Sequence, residues 1–361
     1  MRRVSIEDLR GLEASVPDIA RDPGEVCLAT FWRQATPGQF YWRCDVPARH
    51  LPGQALSFQV SDLAWNNAED HLVMPRHRGV GVWPYLGDDR RSRIAFAMQD
   101  LGNRTLIDVD DDYTRTPGRW HAGWSKTHEQ AERGILGYSH EQHRHLAQMA
   151  DGIIVSTPHL GDTYSGYNDK VYVCRNSIDP WDYRDIPRHE DDGILRIGFA
   201  GSVSHIFDYP LVKKALKWAR RQTDVKVYMV GFVPPAWDGD VIPWADDLLD
   251  FRRNLGQLDV GLCALQDNPW NRNKSDIKAM EYAMAGALPI VSRTESFSPW
   301  WRDQNWYWTA QTPEQWADII REVVSERDNI STAATAAKKY VMAERTIQTE
   351  ISKWKEAILD G

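Results

Sequence analysis

The stretch Asp259-Val260-Gly261-Leu262-Cys263-Ala264-Leu265, then Asn271-Arg272-Asn273-Lys274-Ser275-Asp276-Ile277-Lys278-Ala279-Met280-Glu281-Tyr282-Ala283-Met284-Ala285-Gly286, then Leu288-Pro289-Ile290-Val291-Ser292, reads as strand, helix, strand. The first and last runs are continuously apolar, as strands buried on both faces are. Between them lie a polar loop, a helix predicted from Ser275 to Gly286 with Ser275 as its cap, and a glycine to stop it. Upstream, Leu195-Arg196-Ile197-Gly198-Phe199-Ala200 predicts a strand with a Gly201-Ser202 turn. A helix over Tyr209–Gln222 and a strand over Val225–Val230 follow. Strands and helices in alternation define βαβ units and a parallel sheet.

The same grammar is present further toward the N-terminus. Val26–Phe31, His71–Met74, Thr105–Val109 and Gly152–Ser156 are apolar runs, and the second and third of these end in Arg76-His77 and in Asp110-Asp111-Asp112. Ligands of open parallel sheets sit off the carboxyl ends of the strands, so both polar clusters are candidate crevice residues. The acidic segment from Asp182 to Asp192 reads as a linker. Thr312-Pro313 predicts a helix start, and Ile347, Ile351, Trp354 and Ile358, spaced four, three and four, give a terminal helix an apolar face. That spacing leaves open whether the face returns to the N-terminal half or meets a second copy.

At 361 residues the chain is expected to hold two domains. Its 43 basic against 51 acidic side chains, a formal charge of -8, do not suit a protein that neutralises many phosphates, so nucleic acid is not expected as a partner. No run reaches the ~18 apolar residues of a membrane span, and no apolar signal core follows Arg2 and Arg3. The expectation is a cytoplasmic protein whose four separated cysteines are reduced.

Read from physical chemistry, the amides at Ser275 with the adjoining helix dipole make an anion site, and Lys274 adds a charge beside it. Glu281, two turns on, can accept from a pair of sugar hydroxyls. Asp108 and Asp110–Asp112 raise a metal reading, although cleft-lining carboxylates that meet an acceptor are expected instead, and no metal ligands are assigned. His140, Glu141, His143 and His145 lack the two-histidine spacing of a zinc protease, and a solvated helix face is expected. Trp120 and Trp124 follow the acidic cluster and are candidates for an acceptor sugar. Trp300, Trp301, Trp306, Tyr307 and Trp308 are expected to pack mostly between the last strand and the C-terminal helices.

Lys274, Ser275, Ile277, Lys278, Glu281, Tyr282, Gly286, Pro289 and Val291 match the donor-site pattern of GT-B glycosyltransferases, and the segment resembles in particular those of family 4. The resemblance extends to Ile197–Ser202, to Gly152–Pro158 and to Asn176–Asp179, and covers about residues 100 to 320. It implies an α/β fold of two Rossmann-like domains facing across a cleft. The expected N-terminal acceptor domain spans 1–177, the nucleotide-sugar domain 178–335 and a C-terminal helix 336–361. It further implies transfer of a sugar from a nucleotide-diphosphate sugar to the hydroxyl of a glycan, protein or small molecule, with no cofactor required. Glu281 would hold the ribose, and Gly201, Ser202, Lys274 and the Ser275 amides the diphosphate, with Asn273, Asp276 and Ile277 completing the donor site. Arg76, His77 and Lys274 would serve catalysis. One departure is Asn273, where many family 4 enzymes carry a glutamate eight positions before the ribose-binding one. An epimerase or hydrolase on the same fold, or a non-catalytic carbohydrate-binding protein, are the alternatives.

Overall fold

The computed structural model describes residues 29–33, 41–51, 55–59, 79–84, 92, 95–96, 99–100, 102–114, 140–245 and 247–359. Arg76, His77, Trp120 and Trp124, and the expected strand at His71–Met74, lie outside the described residues.

The N-terminal half is built on strands β1 (Ala29–Arg33), β2 (Ala55–Gln59), β3 (Val80–Pro84), β4 (Arg104–Val109), β5 (Gly152–Val155) and β6 (Val171–Val173). They pair in the order β2-β1-β3-β4-β5-β6, parallel throughout. Helix α1 (Val46–His50) follows a π-helical turn at Tyr41–Asp45, while α2 (His140–Met149) and α3 (Pro158–Tyr164) flank β5. Leu106 and Ile107 of β4 and Ile153 and Ile154 of β5 are buried in a hydrophobic core that continues into the second half of the chain.

The second sheet has β7 (Leu195–Gly201), β8 (Val225–Gly231), β9 (Asp240–Ile242), β10 (Val260–Cys263), β11 (Leu288–Ser292) and β12 (Thr309–Ala310). Their order, β12-β11-β10-β7-β8-β9, is the doubly wound arrangement whose strand order reverses between β7 and β10. Helices α4 (Tyr209–Ala219), α5 (Leu248–Gly256), α6 (Pro269–Arg272), α7 (Ile277–Met284) and α8 (Pro313–Ser325) accompany it. Thr312 and Gln315 close a full capping box on α8, satisfying its first amides. Gly261 on β10 lets α7 approach: a Cβ there would lie 2.2 Å from the Tyr282 ring. Tyr282 uses this proximity to accept the Ala200 N–H at 2.8 Å. Gly286, at φ 87°, ends the α7 segment in the left-handed conformation that favours glycine.

Helices α9 (Asp328–Glu344) and α10 (Ile347–Leu359) complete the chain. The apolar face of α10 covers the N-terminal half rather than standing free. Trp354 and Ile358 are buried in the same core as β4 and β5, Arg104 donates to the carbonyls of Ala357 and Ile358 at 2.9 and 3.1 Å, and the Arg43 guanidinium lies over the Trp354 ring. A buried pair, Arg43 with Asp108 (Nε to oxygen 3.1 Å), anchors the π-helical turn to β4.

Three local expectations differ from the structure. Helix α7 begins at Ile277, so its capping position is Asp276 and not Ser275. The reason is competition: Asp276 is claimed by Arg345 and by the Trp300 indole N–H at 3.0 Å, while Ser275 Oγ accepts from Asn176 Nδ2 at 2.8 Å. Second, His143 is not on a solvated face; it is buried 2.7 Å from the Tyr164 hydroxyl, although Glu141 and His145 are exposed. Third, α4 stops at Ala219. Of the aromatic cluster, Trp300 and Trp308 are buried as expected, and Tyr307 is exposed.

Candidate functional site

Both sheets present the carboxyl ends of their strands to one crevice. From the second sheet come Gly201 at the end of β7 and Ser202 after it, the segment from Ala264 to Asp276 after β10, and the first turns of α7. Facing them are Asp110, Asp111 and Asp112 after β4, Ser156 and Thr157 after β5, and Asn176 after β6.

The two halves meet here through side chains. Lys274 Nζ lies 3.0 and 3.2 Å from the two Asp111 oxygens. Asn273 Nδ2 donates to Asp112 Oδ2 and to the Pro269 carbonyl, each at 3.1 Å. The Asn273 carbonyl in turn accepts from Thr157 Oγ1 at 3.3 Å. Asn273 Oδ1 and Asn271 Oδ1 are buried and have no partner among the described residues.

The acidic turn after β4 does not act as a unit. Asp110 is 3.4 Å from the Tyr113 hydroxyl, Asp111 faces Lys274, and Asp112 accepts from the Thr114 hydroxyl and from Asn273. Among the described residues no three carboxylate, imidazole or thiol groups are arranged to hold a metal ion. Burial, with the Asp111 charge beside it, pushes the Asp110 carboxyl up to about 7 against the pull of Arg43 and Lys274. Burial also works against the Lys274 charge, but Asp111, with Asp110 and Asp208, outweighs it and holds the ammonium above its usual value.

Glu281 is the sharpest feature. It is 7% exposed, and its carboxylate makes no hydrogen bond to another described residue. Burial raises it to about 7, although the charges of Arg252 and Lys278 oppose the shift. A largely buried carboxylate without hydrogen bonds in the protein is set to take donors from a ligand.

One constellation was not singled out for a role by sequence reasoning. Asp208, fully buried, accepts the Gln266 N–H at 2.8 Å and Asn271 Nδ2 at 3.0 Å with one oxygen, and pairs with His205 Nδ1 at 3.0 Å through the other. His205 Nε2 lies 2.9 Å from Lys278 Nζ. Burial, with Lys278 nearby, brings His205 down to about 4, and burial brings Lys278 down to about 8. The available signal was Lys278 three positions before Glu281, hence on the same helix face.

Among the expected donor residues, Gly201, Ser202, Asn273, Lys274, Ser275, Ile277 and Glu281 gather around this crevice. Asp276 is there too, but its carboxylate is held between Arg345 and Trp300.

No protein-family profile matches the chain, and no curated protein matches it in sequence. Solved structures match its fold. HepE of Anabaena, in complex with UDP and glucose, aligns over 93% of this chain and 100% of its own at 11% identity, with a TM-score of 0.63. A glycosyltransferase from Rickettsia africae aligns over 93% and 99% at 10% identity, with a TM-score of 0.59. TarM of S. aureus, in complex with fondaparinux, α-GlcNAc-glycerol and UDP, aligns over 78% of this chain at 10% identity and a TM-score of 0.56; the match spans 55% of TarM. Two parallel, doubly wound sheets facing across a crevice, with the last helix returned to the first half, therefore constitute a GT-B fold.

Proposed function

We propose that the chain is a glycosyltransferase that moves a sugar from a nucleoside-diphosphate sugar to an acceptor hydroxyl. The observation that carries this is Glu281: a buried carboxylate without hydrogen bonds, on the helix that flanks the strand-order reversal, where a ribose can supply two hydroxyl donors. The donor's diphosphate lies against the Gly201-Ser202 turn and the Ser275 amide, since the Lys274 N–H already donates to the Asn271 carbonyl. Its sugar reaches Asn273, whose free Oδ1 can accept a hydroxyl. Asp276 positions this loop through Arg345 instead of touching the donor.

Asp110, Asp111 and Asp112 across the crevice are the acceptor candidates; from sequence alone Trp120 and Trp124 join them, and Arg76 and His77 are candidates for catalysis. In the reaction the bond from anomeric carbon to diphosphate breaks with its electron pair leaving on the diphosphate, the acceptor oxygen bonds that carbon, and the acceptor's proton is released to water. The protein's part is to align the two substrates and to stabilise the departing diphosphate. In this reading side-chain cations stabilise it, and no metal is assigned to the step. UDP in complex with HepE and with TarM supports UDP as the first donor nucleotide to try.

The test is calorimetric titration of the whole protein with UDP, GDP, dTDP, ADP and CMP, followed by donor-consumption assays against an acceptor panel. One nucleoside diphosphate is expected to bind, Glu281→Ala to lose it, and donor to be consumed only when acceptor is present. Absence of binding to all five, or wild-type binding by the variant, overturns the donor site. Consumption of donor without acceptor identifies a hydrolase or epimerase instead.

A further inference from the structure

We infer that the ammonium that meets the donor's diphosphate is Lys278, held in place by His205 and Asp208, while Lys274 joins the two halves of the protein. The inference rests on the donor-site reading and assigns a residue within it.

The two lysines are four positions apart, but their surroundings differ. Lys274 has a carboxylate in hand: Asp111 engages it with both oxygens from the opposite half. Lys278 has none. Its hydrogen-bond partner is an imidazole nitrogen, and the geometry fixes which proton goes where. Asp208 Oδ2, an acceptor, takes the Nδ1–H of His205, which leaves the lone pair of Nε2 for a Lys278 N–H. Asp208 is held by a backbone amide and by Asn271, so the chain of contacts is anchored at its far end. An ammonium fixed by one neutral acceptor keeps two N–H donors and its full charge for something else.

That something lies where the second sheet reverses its strand order. The His205 ring abuts Gly201 so closely that a Cβ on the glycine would sit 2.3 Å from it, and both His205 and Lys278 approach the Phe199 ring one strand residue pair earlier. Lys278 therefore stands at the carboxyl end of β7, in the first turn of α7, where helix amides and dipole also favour an anion. Glu281 follows three residues later on the same helix face, a rise of about 4.5 Å. Cation and ribose acceptor thus succeed one another in the order in which a nucleoside diphosphate offers phosphate and ribose. The groups facing Lys278 are Asp208, Lys274, Cys263 and Glu281, besides His205, and burial of its charge among them leaves it below the usual lysine value. Neither Asp208 nor Glu281 bonds Lys278 directly, and a phosphate chain is the anion that its remaining N–H donors fit.

The experiment is calorimetric titration with UDP, or with whichever of GDP, dTDP and ADP the wild type binds, in parallel with the matching nucleoside. Lys278→Met is expected to weaken the diphosphate tenfold or more and the nucleoside less than twofold, and to flatten the salt dependence of diphosphate binding. Lys278→Arg is expected to recover most of the loss. Retained nucleoside binding also shows that the variant is folded. Diphosphate affinity of Lys278→Met within threefold of wild type, or equal losses for diphosphate and nucleoside, overturns the assignment and leaves the donor site standing. A wild type that binds none of the nucleotides overturns both.

Discussion

Replacing Glu281 with glutamine should make the protein more stable above neutral pH while weakening its grip on a nucleotide. The carboxyl is buried, and its ordinary value of 4.5 is raised to about 7. A shift of that size corresponds to roughly 3 kcal/mol at 1.36 kcal/mol per unit. The sign follows from linkage: the folded state binds this proton more tightly than the unfolded one. Its favourable contribution is complete below 4.5 and is lost as pH rises through 7. Above that point the wild type carries a largely buried charge, only partly offset by Arg252 and Lys278, that Glu281→Gln does not. The buried amide of glutamine costs about 1–2 kcal/mol of its own, so the net gain at pH 8 is on the order of 1–2 kcal/mol.

The assay is urea denaturation of wild type and variant at half-unit steps from pH 4.5 to 8.5. The difference between them isolates Glu281, because Asp110 and the other shifted carboxyls are common to both. The gap should widen in favour of the variant from about pH 5 and level off above pH 7. A flat difference, or a variant less stable than wild type at pH 8, would refute the reasoning. Nucleotide affinity should run the other way: wild type weakens below pH 7 as the carboxylate protonates, and the variant loses at least tenfold at pH 8. Stability yielding to function at one residue is what the proposed ribose-binding role predicts.

Arg43→Met strands the Asp108 carboxylate in a site where both partners are fully buried, and should cost about 3–5 kcal/mol by urea denaturation; adding Asp108→Asn should recover part of it. Gly261→Ala drives a methyl into the Tyr282 ring from 2.2 Å, so the ring must move and lose the Ala200 N–H. A loss of about 1–3 kcal/mol is expected in the same assay. The Lys274–Asp111 pair is about one-fifth exposed on each side. A double-mutant cycle of Lys274→Met and Asp111→Asn should accordingly give a coupling of about 1 kcal/mol or less, weakening in high salt. A coupling several times larger would mean that this pair dominates the association of the two halves.

The second sheet was readable because its strands are buried on both faces and are punctuated by glycine and proline. Leu195–Gly201, Val225–Gly231 and Leu288–Ser292 fall within a residue of their expected limits. Periodicity also showed that the last helix needed a cover, since Ile347, Trp354 and Ile358 share a face, but not that Arg104 and Arg43 of the first half would supply it. Where reading failed, a distant partner had intervened. Ser275 looks like a cap until Asn176, 99 positions earlier, takes its hydroxyl. His143 belongs to a polar run, yet Tyr164 draws it into the interior. Nor could the motif rank Lys274 against Lys278, because the distinction lies in Asp111 and His205, which come from opposite halves.

The asparagine at position 273 follows from the same cross-cleft chemistry. Its amide is fully buried and gives its N–H groups to Asp112 and to the Pro269 carbonyl, both acceptors. A glutamate there would set a second carboxylate against Asp112 and against a carbonyl oxygen, in a place too dry to screen either. Two like charges in that setting force one to neutralise or the loop to withdraw. The acidic turn after β4 already brings Asp110, Asp111 and Asp112 to the crevice, and burial, with the Asp111 charge beside it, raises Asp110 to about 7. The negative charge of the crevice thus stands on the wall formed by the first sheet, and a neutral donor of hydrogen bonds at 273 is what allows the two walls to meet.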